Sequence, residues 1–408
     1  MDNEGTPGAL VVPSAATVYI QLVEGDMLRR WHRLQPWQDA TASPLVSLPP
    51  TMASCPGSSV VHDLQLSAFT QFKPLSRPIP VLHFDWTKPD IPKYRDEMVS
   101  IHPENSGTCC AVLFWWDLQM APDLSLSCAP SWQGNPDWRD HWIQAIYYLP
   151  QEIAVTKNEE LKIHACHDEY SMWFYPPSCP QLELPSCKCG LHQTTTFTRI
   201  GNLNDESRRA KLLQCLSTKV GDNTKALVTG SCSLLPALVK KLGAKQVFAT
   251  DNTPWMKDVA DFNKLGVRVI TADAIKTLTD INLVCSEPNY DAAVLPWYNL
   301  AFWYARSELN LTQDATVMPF AASLWAIPLE LEHLWKIRAP LGAVEGFNME
   351  PFDKLIESSS DVSDCPVEPQ PLWEYTNISL GAPVRLLDFD FTHPVGSRLA
   401  NHGLIPIS

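Results

Sequence analysis

Two patterns of hydrophobic spacing divide the chain. From about residue 10 to 175, apolar and polar positions alternate in short aromatic-rich runs such as Thr17-Val18-Tyr19-Ile20-Gln21-Leu22, Val112-Leu113-Phe114-Trp115-Trp116 and Ile146-Tyr147-Tyr148-Leu149, with proline between them. A period of two sends successive side chains to opposite faces of a strand, so this part predicts an antiparallel β-barrel or sandwich. The Pro- and Ser-rich stretch 43–57 reads as one of its loops. From about residue 205 the spacing changes. Helical periodicity over 206–220, 234–242, 255–265 and 295–309 alternates with apolar strands at 225–229, 246–250, 268–270, 282–285 and 316–318, and Gly243 and Gly266 stop two of the helices. Such βαβα order predicts a parallel sheet with helices on both faces. After 318 the alternating pattern returns.

The chain also repeats itself. Val12-Pro13-Ser14-Ala15-Ala16-Thr17-Val18-Tyr19 recurs as Met318-Pro319-Phe320-Ala321-Ala322-Ser323-Leu324-Trp325, Trp31 as Trp335, and Val81-Leu82-His83-Phe84-Asp85-Trp86-Thr87-Lys88-Pro89 as Leu386-Leu387-Asp388-Phe389-Asp390-Phe391-Thr392-His393-Pro394. Three matches in one order, at a nearly constant offset of roughly 305 residues, indicate duplication of a whole module, because solenoid repeats are far shorter. The chain holds little more than one period. It is expected to enter late in a first module and to stop inside a second, with unpaired strand edges near its C-terminus that invite association.

Composition adds limits. The 408 residues exceed the usual size of one core, and 45% hydrophobic with 19% charged residues is an ordinary globular balance. With 31 Lys+Arg against 45 Asp+Glu, the net charge of −14 makes nucleic acid a poor partner and suits a cationic one. The acidic N-terminus lacks a secretory signal, and the apolar run 315–329 is too short to span a bilayer, so no membrane partner is expected. The 12 cysteines, mostly in apolar strings, read as reduced thiols in an intracellular chain.

Two constellations carry candidate chemistry. A doubly wound sheet binds its cofactor beyond the carboxyl ends of the strands, at a glycine-rich first turn and an acid after the second strand. Asp251 supplies that acid, but Gly230-Ser231-Cys232-Ser233 offers one glycine where such turns have two or three, so the cofactor site is expected to be degenerate. The second is Cys187-Lys188-Cys189-Gly190-Leu191-His192, where Cys187, Cys189 and His192 put three zinc-type ligands within six residues and Gly190 allows the turn. The fourth ligand is left open among Cys166, His167, His83, His102 and Cys179.

The α/β region between β-rich parts, Glu287-Pro288 after the fourth strand, Trp303-Tyr304-Ala305-Arg306 and Asp140-His141-Trp142-Ile143-Gln144 resemble protein arginine methyltransferases. Phe114-Trp115-Trp116-Asp117, Trp138-Arg139-Asp140-His141-Trp142 and Pro371-Leu372-Trp373-Glu374-Tyr375 resemble the tandem-module, type III branch of that family. The resemblance implies two modules packed as a pseudo-dimer, each a Rossmann-like S-adenosylmethionine domain followed by a β-barrel. It implies transfer of one methyl group to arginine in proteins such as histones, in the cytoplasm and nucleus. It divides the chain into the end of a first α/β domain (1–24), a first barrel (25–180), a zinc-binding junction (181–204), a second Rossmann-like domain (205–318) and an incomplete second barrel (319–408).

In this family two carboxylates on one loop grip the guanidinium bidentately. Glu287 matches the first, whereas Leu295-Pro296-Trp297 stands where the second should fall, so Glu287 is expected to be vestigial and the second module inactive. Asp140, His141 and Trp142 match the family's threonine-histidine-tryptophan loop that walls the arginine pocket, with Asp140 in place of threonine. The junction motif matches a zinc site of the family, which the closed four-ligand geometry makes structural. The catalytic Rossmann domain is expected upstream of Met1, leaving this chain inactive alone. The alternative is a non-enzymatic scaffold docking basic partners on acidic, aromatic-rich surfaces.

Overall fold

The computed structural model describes residues 9–38, 44–58, 60–134, 142–179, 184–287, 300–309, 311–338, 340–363, 370 and 372–396. These form two compact units, one of Met1–Val220, Cys232–Gly243 and Asn252–Val267, the other of Gly221–Ser231, Ala244–Asp251 and Arg268–Ser408. No described helix is long and apolar enough to cross a membrane.

In the first unit β1 (Ala15–Glu24) lies between β2 (Ile79–Asp85) and β4 (Gly107–Ala121), all antiparallel. On its other edge β4 carries β5 (Leu124–Ser127), through a hairpin, and β6 (Gln144–Val155). A second antiparallel sheet orders β3 (Arg95–Ile101), β7 (Leu161–His167) and β8 (Met172–Tyr175) with β7 in the middle. Val18, Ile20 and Leu22 of β1 meet Val112, Tyr147, Leu149, Ile163, Ala165 and Phe174 in one core spanning both sheets. Each fully buried Ile or Leu there contributes about 1.5–3 kcal/mol. Among the described residues the hydrogen bonding runs as two antiparallel sheets, and no bond among them closes the expected barrel into a ring.

The opposite face of the large sheet buries Val23, Leu113, Trp115, Ile146 and Tyr148 under Leu28 of α1 (Asp26–His32). That helix seats on α2 (Phe197–Leu203), which leads into α3 (Glu206–Ser217). Thr196 and Asp205 cap the two helices, each side chain accepting a backbone N–H that would otherwise be orphaned. Trp31 lies so close to Gly201 that an added Cβ would stand 2.4 Å from the indole, so only glycine fits. Between the helices, the Asn204 amide donates to the carbonyls of Arg30 (2.6 Å) and Arg33 (2.7 Å) and accepts from the Gln35 N–H (2.8 Å). Two short helices, α4 (Leu235–Lys241) and α5 (Pro254–Phe262), also belong to this unit.

The second unit holds the parallel sheet that the βαβα order predicts. Its strands β9 (Lys225–Thr229), β10 (Gln246–Ala249), β11 (Arg268–Val269), β12 (Ile281–Ser286) and β13 (Leu311–Met318) lie in the order β11-β10-β9-β12-β13. The order reverses at β9, and ligands of open α/β sheets bind at such a switch point. Of the predicted helix 295–309 the described part is α6 (Ala301–Ser307); 295–299 lies outside the described residues.

After β13 the first unit's opening is rebuilt. β14 (Ala321–Ala326) pairs with β15 (Val384–Asp390) from Ala321↔Asp390 to Leu324↔Leu387 and then shifts register, as β1 pairs with β2 from Ala15↔Asp85 to Val18↔Leu82 and then shifts. Leu329–Glu330 pairs with Ile378–Ser379 as Val23 and Glu24 pair with Pro74 and Lys73. α7 (Glu332–Arg338) repeats α1. Conserving both register and irregularity requires equivalent backbones, so the duplication read from the sequence is a duplication of structure. The copies differ in cover. β1 has strands on both edges, whereas among the described residues β14 has only β15, and Trp335 is 71% exposed.

Candidate functional site

Four ligand-type side chains converge at the junction. Cys187 Sγ lies 3.7 Å from Cys189 Sγ and 3.8 Å from Cys55 Sγ, and His192 Nδ1 lies 3.5, 3.8 and 3.8 Å from Cys187, Cys189 and Cys55. A tetrahedral zinc with bonds of about 2.3 Å to sulfur and about 2.0–2.1 Å to nitrogen requires edges of about 3.8 Å between sulfurs and about 3.6 Å from sulfur to nitrogen. The donors therefore stand where a zinc ion would hold them, and the residues fit the metal that the resemblance implies. Gly190, at φ +77°, makes the turn that swings His192 back onto the two cysteines.

The surroundings orient these ligands. His192 Nε2 donates to the carbonyl of His32 at 2.8 Å, leaving the Nδ1 lone pair for a metal. Burial alone would lower the His192 pKa; hydrogen bonds with Cys55, the His32 carbonyl and Cys187 outweigh it and raise it. Hydrogen bonding between the Cys55 and Cys189 thiols holds Cys55 well below the usual thiol range and pushes Cys189 well above it. With all four positions filled by protein, none remains for substrate, so an ion here would brace the fold.

Cys55 corrects the fourth-ligand expectation. It follows the short helix Pro50–Ala53 and lies 132 residues before Cys187, a separation no local motif registers. The proposed alternatives are engaged elsewhere or stand apart. His83 bonds Thr17 (3.1 Å), His167 bonds the Asp168 carbonyl (3.0 Å), the Cys166 thiol bonds Asp96 and Tyr94, and neither His102 nor Cys179 joins the cluster.

At the carboxyl ends of the parallel strands the structure brings together the second set of sequence candidates. Gly230 follows β9, Asp251 lies two residues past β10 and Glu287 follows β12. A Cβ on Gly230 would stand 3.4 Å from Ser286 Oγ and 3.9 Å from the Glu287 carbonyl oxygen, and its φ of +106° is one that glycine adopts freely. Asp251 and Glu287 are both buried and both have partners. The positions 295–297, where the second carboxylate is missing from the sequence, lie outside the described residues.

Of the pocket loop, Asp140 and His141 lie outside the described residues, and Trp142 packs on Trp116 with ring centroids 5.0 Å apart. Two residues on, buried Gln144 anchors the loop by donating to the Cys128 carbonyl (2.7 Å) and accepting from the Leu66 N–H (2.8 Å). Sequence reading gave Gln144 no role. Its only local signal is a polar side chain heading an apolar strand.

Comparison with known proteins agrees with this picture. Residues 14–174 match the family model described as the arginine methyltransferase oligomerization subdomain. The chain is 36% identical over 415 residues to a Xenopus laevis protein named Protein arginine N-methyltransferase 7, covering 94% of this chain and 60% of that protein. It is 35% identical over 434 residues to the Danio rerio protein of the same name, covering 98% and 63%. The chain thus spans about three fifths of the length of these relatives. A solved Trypanosoma brucei PRMT1 enzyme–prozyme complex with AdoHcy covers 48% of this chain and 62% of its own at a TM-score of 0.37 and 16% identity, too faint a likeness to argue from.

Proposed function

Since the chain belongs to the protein arginine methyltransferase family, alongside the arginine N-methyltransferase 7 proteins it matches, we propose that it works in transfer of a methyl group from S-adenosylmethionine to arginine in proteins such as histones. It contributes the arginine-pocket loop at Asp140, His141 and Trp142, a zinc-braced junction at Cys55, Cys187, Cys189 and His192, and a second Rossmann-like sheet. Methyl transfer requires a donor site and two carboxylates to orient a planar cation. Here one glycine, Gly230, and one acid, Glu287, remain, so the second sheet serves as a structural partner and a further methyltransferase module supplies the reacting groups.

The observation that carries this reading is similarity along 94–98% of the chain to relatives of greater length. The pseudo-dimer is supported by the repeat. In the first copy Trp31 is seated on Gly201 and Asn204 binds the carbonyls of Arg30 and Arg33; the second copy presents Trp335 with no such seat among the described residues. The proposed product is monomethylarginine and the proposed compartments are cytoplasm and nucleus. The scaffold alternative is favoured by the charge of −14. Calorimetry with S-adenosylmethionine and a radiolabelled methyl-transfer assay on histones test the choice. The proposal expects neither donor binding nor turnover by this chain alone, and monomethylarginine when the further module is added. Turnover by the chain alone would overturn it, and basic-peptide binding with no activity under any addition would favour the scaffold.

A further inference from the structure

Of the three sulfurs in the junction cluster, those of Cys55 and Cys189 belong to buried residues, 1% and 4% exposed, whereas Cys187 is half-buried between exposed Ser186 and Lys188. A small dissolved oxidant therefore meets Cys187 first. Two sulfurs lie within reach behind it, Cys189 at 3.7 Å and Cys55 at 3.8 Å. They are not equivalent partners. Only Lys188 separates Cys187 from Cys189, so a disulfide between them would close a small ring containing planar peptide groups, and a strained disulfide is easily reduced. Cys55 arrives from a segment 132 residues earlier, and a bond to it closes no small ring. The backbone N–H groups of Gly57 and Lys188 donate to the Cys55 sulfur and stabilise negative charge on it, the form in which sulfur acts as a nucleophile.

We propose that Cys187 is an oxidation site for peroxides and that Cys55 resolves it, so that the cluster exchanges its reduced form for a disulfide between Cys55 and Cys187. The Cys187 thiolate attacks one oxygen of the peroxide; an S–O bond forms, the O–O bond breaks, and hydroxide leaves with the electron pair. The Cys55 thiolate then attacks the sulfur of the resulting sulfenic acid, forming the S–S bond and expelling a second hydroxide. Two thiolates have lost two electrons and the peroxide has gained them. The sulfurs close from 3.8 Å to about 2.05 Å, a movement of the size that side-chain rotation supplies. Two of the four donors are then spent on each other and let go of any ion they held. The loop after Pro50–Ala53 and the junction stay joined in both states, through the metal that the four donors fit when reduced and through a covalent bond when oxidised. The inference rests on the geometry of the cluster and not on methyl transfer.

The test maps the bond in the full chain. Reduced protein is exposed to graded hydrogen peroxide at neutral pH, free thiols are blocked, and the digest is read by mass spectrometry without reductant. The expected product is a linked peptide pair joining Cys55 to Cys187, absent after treatment with dithiothreitol. The oxidised chain should melt several degrees above the same chain reduced and stripped by chelator, because a bond across 132 residues restricts the unfolded chain. Where the purified protein holds zinc, each link formed should release one ion to a zinc-sensitive dye; protein purified without zinc should form the same link. C189S keeps both reacting sulfurs and should still link. C55S should lose the link and leave Cys187 as a sulfenic acid that dimedone traps. A Cys187–Cys189 link in wild type, a sulfinic acid at Cys187 beside a free Cys55, a linked chain that keeps its zinc, or oxidation confined to exposed Cys215 overturns the proposal. If the variants do not fold, the wild-type map decides alone. No arm of the test involves donor or arginine substrate, so failure here leaves the methyltransferase reading as it stood.

Discussion

Substituting Cys55 tests the junction most directly. Cys55→Ser swaps a thiolate that would sit about 2.3 Å from zinc for a hydroxyl that stays protonated at neutral pH and is a poor zinc ligand. The other three donors keep their places, since Cys187, Cys189 and His192 share one short turn and the His192 Nε2–His32 bond survives. The loss is therefore in the ion and in the tie it makes between the loop after Pro50–Ala53 and the junction. If free zinc in the buffer stands about a hundredfold above the dissociation constant, the bound ion contributes about 2.7 kcal/mol to stability by mass action. For a unit of this size that is about 5–11 °C in melting temperature, taking about 2–4 °C per kcal/mol. Purified wild type should carry one zinc per chain by elemental analysis and lose that margin on dialysis against chelator. C55S should carry little zinc, melt at the chelated wild-type temperature and respond no further to chelator. C166S, at a position the sequence suggested as a ligand, should retain its zinc. Wild type with no metal and no chelator response, or C55S with a full complement, refutes the four-ligand assignment.

Two further outcomes follow from packing and charge. Trp31→Ala should destabilise the first unit by about 2–4 kcal/mol in chemical denaturation, because the indole fills the space over Gly201, whereas Trp335→Ala should change stability by less than about 0.5 kcal/mol; equal effects would mean that the second copy is seated like the first. Burial lowers the His62 pKa to about 4, so between that value and about 6.5 the unfolded chain binds the extra proton and the folded one does not. Stability should accordingly rise from pH 4 to 6.5 and level off above it, contributing up to about 3 kcal/mol. His62→Gln should flatten that part of the profile, and an unchanged profile would place the acid sensitivity elsewhere.

Much of this protein was written in local spacing. Alternation in 15–24 and 107–121 depends only on which face of a strand meets the core, and the glycines and periodicities after 205 place the five parallel strands within a few residues of their observed bounds. The duplication and the grouping of Cys187, Cys189 and His192 were likewise legible, the first as self-similarity and the second as a motif within six residues. What the sequence could not reveal were contacts between distant segments: Cys55 completing the cluster of cysteines and histidine, and Asn204 binding the carbonyls of Arg30 and Arg33. Periodicity reports a residue's relation to its own strand or helix, while these features depend on where a second segment arrives, and chain folding alone sets that meeting point. The two copies show the same division. Their sequences prescribe matching hairpins and helices, but Trp31 is covered and Trp335 is bare because of what lies next to each in space.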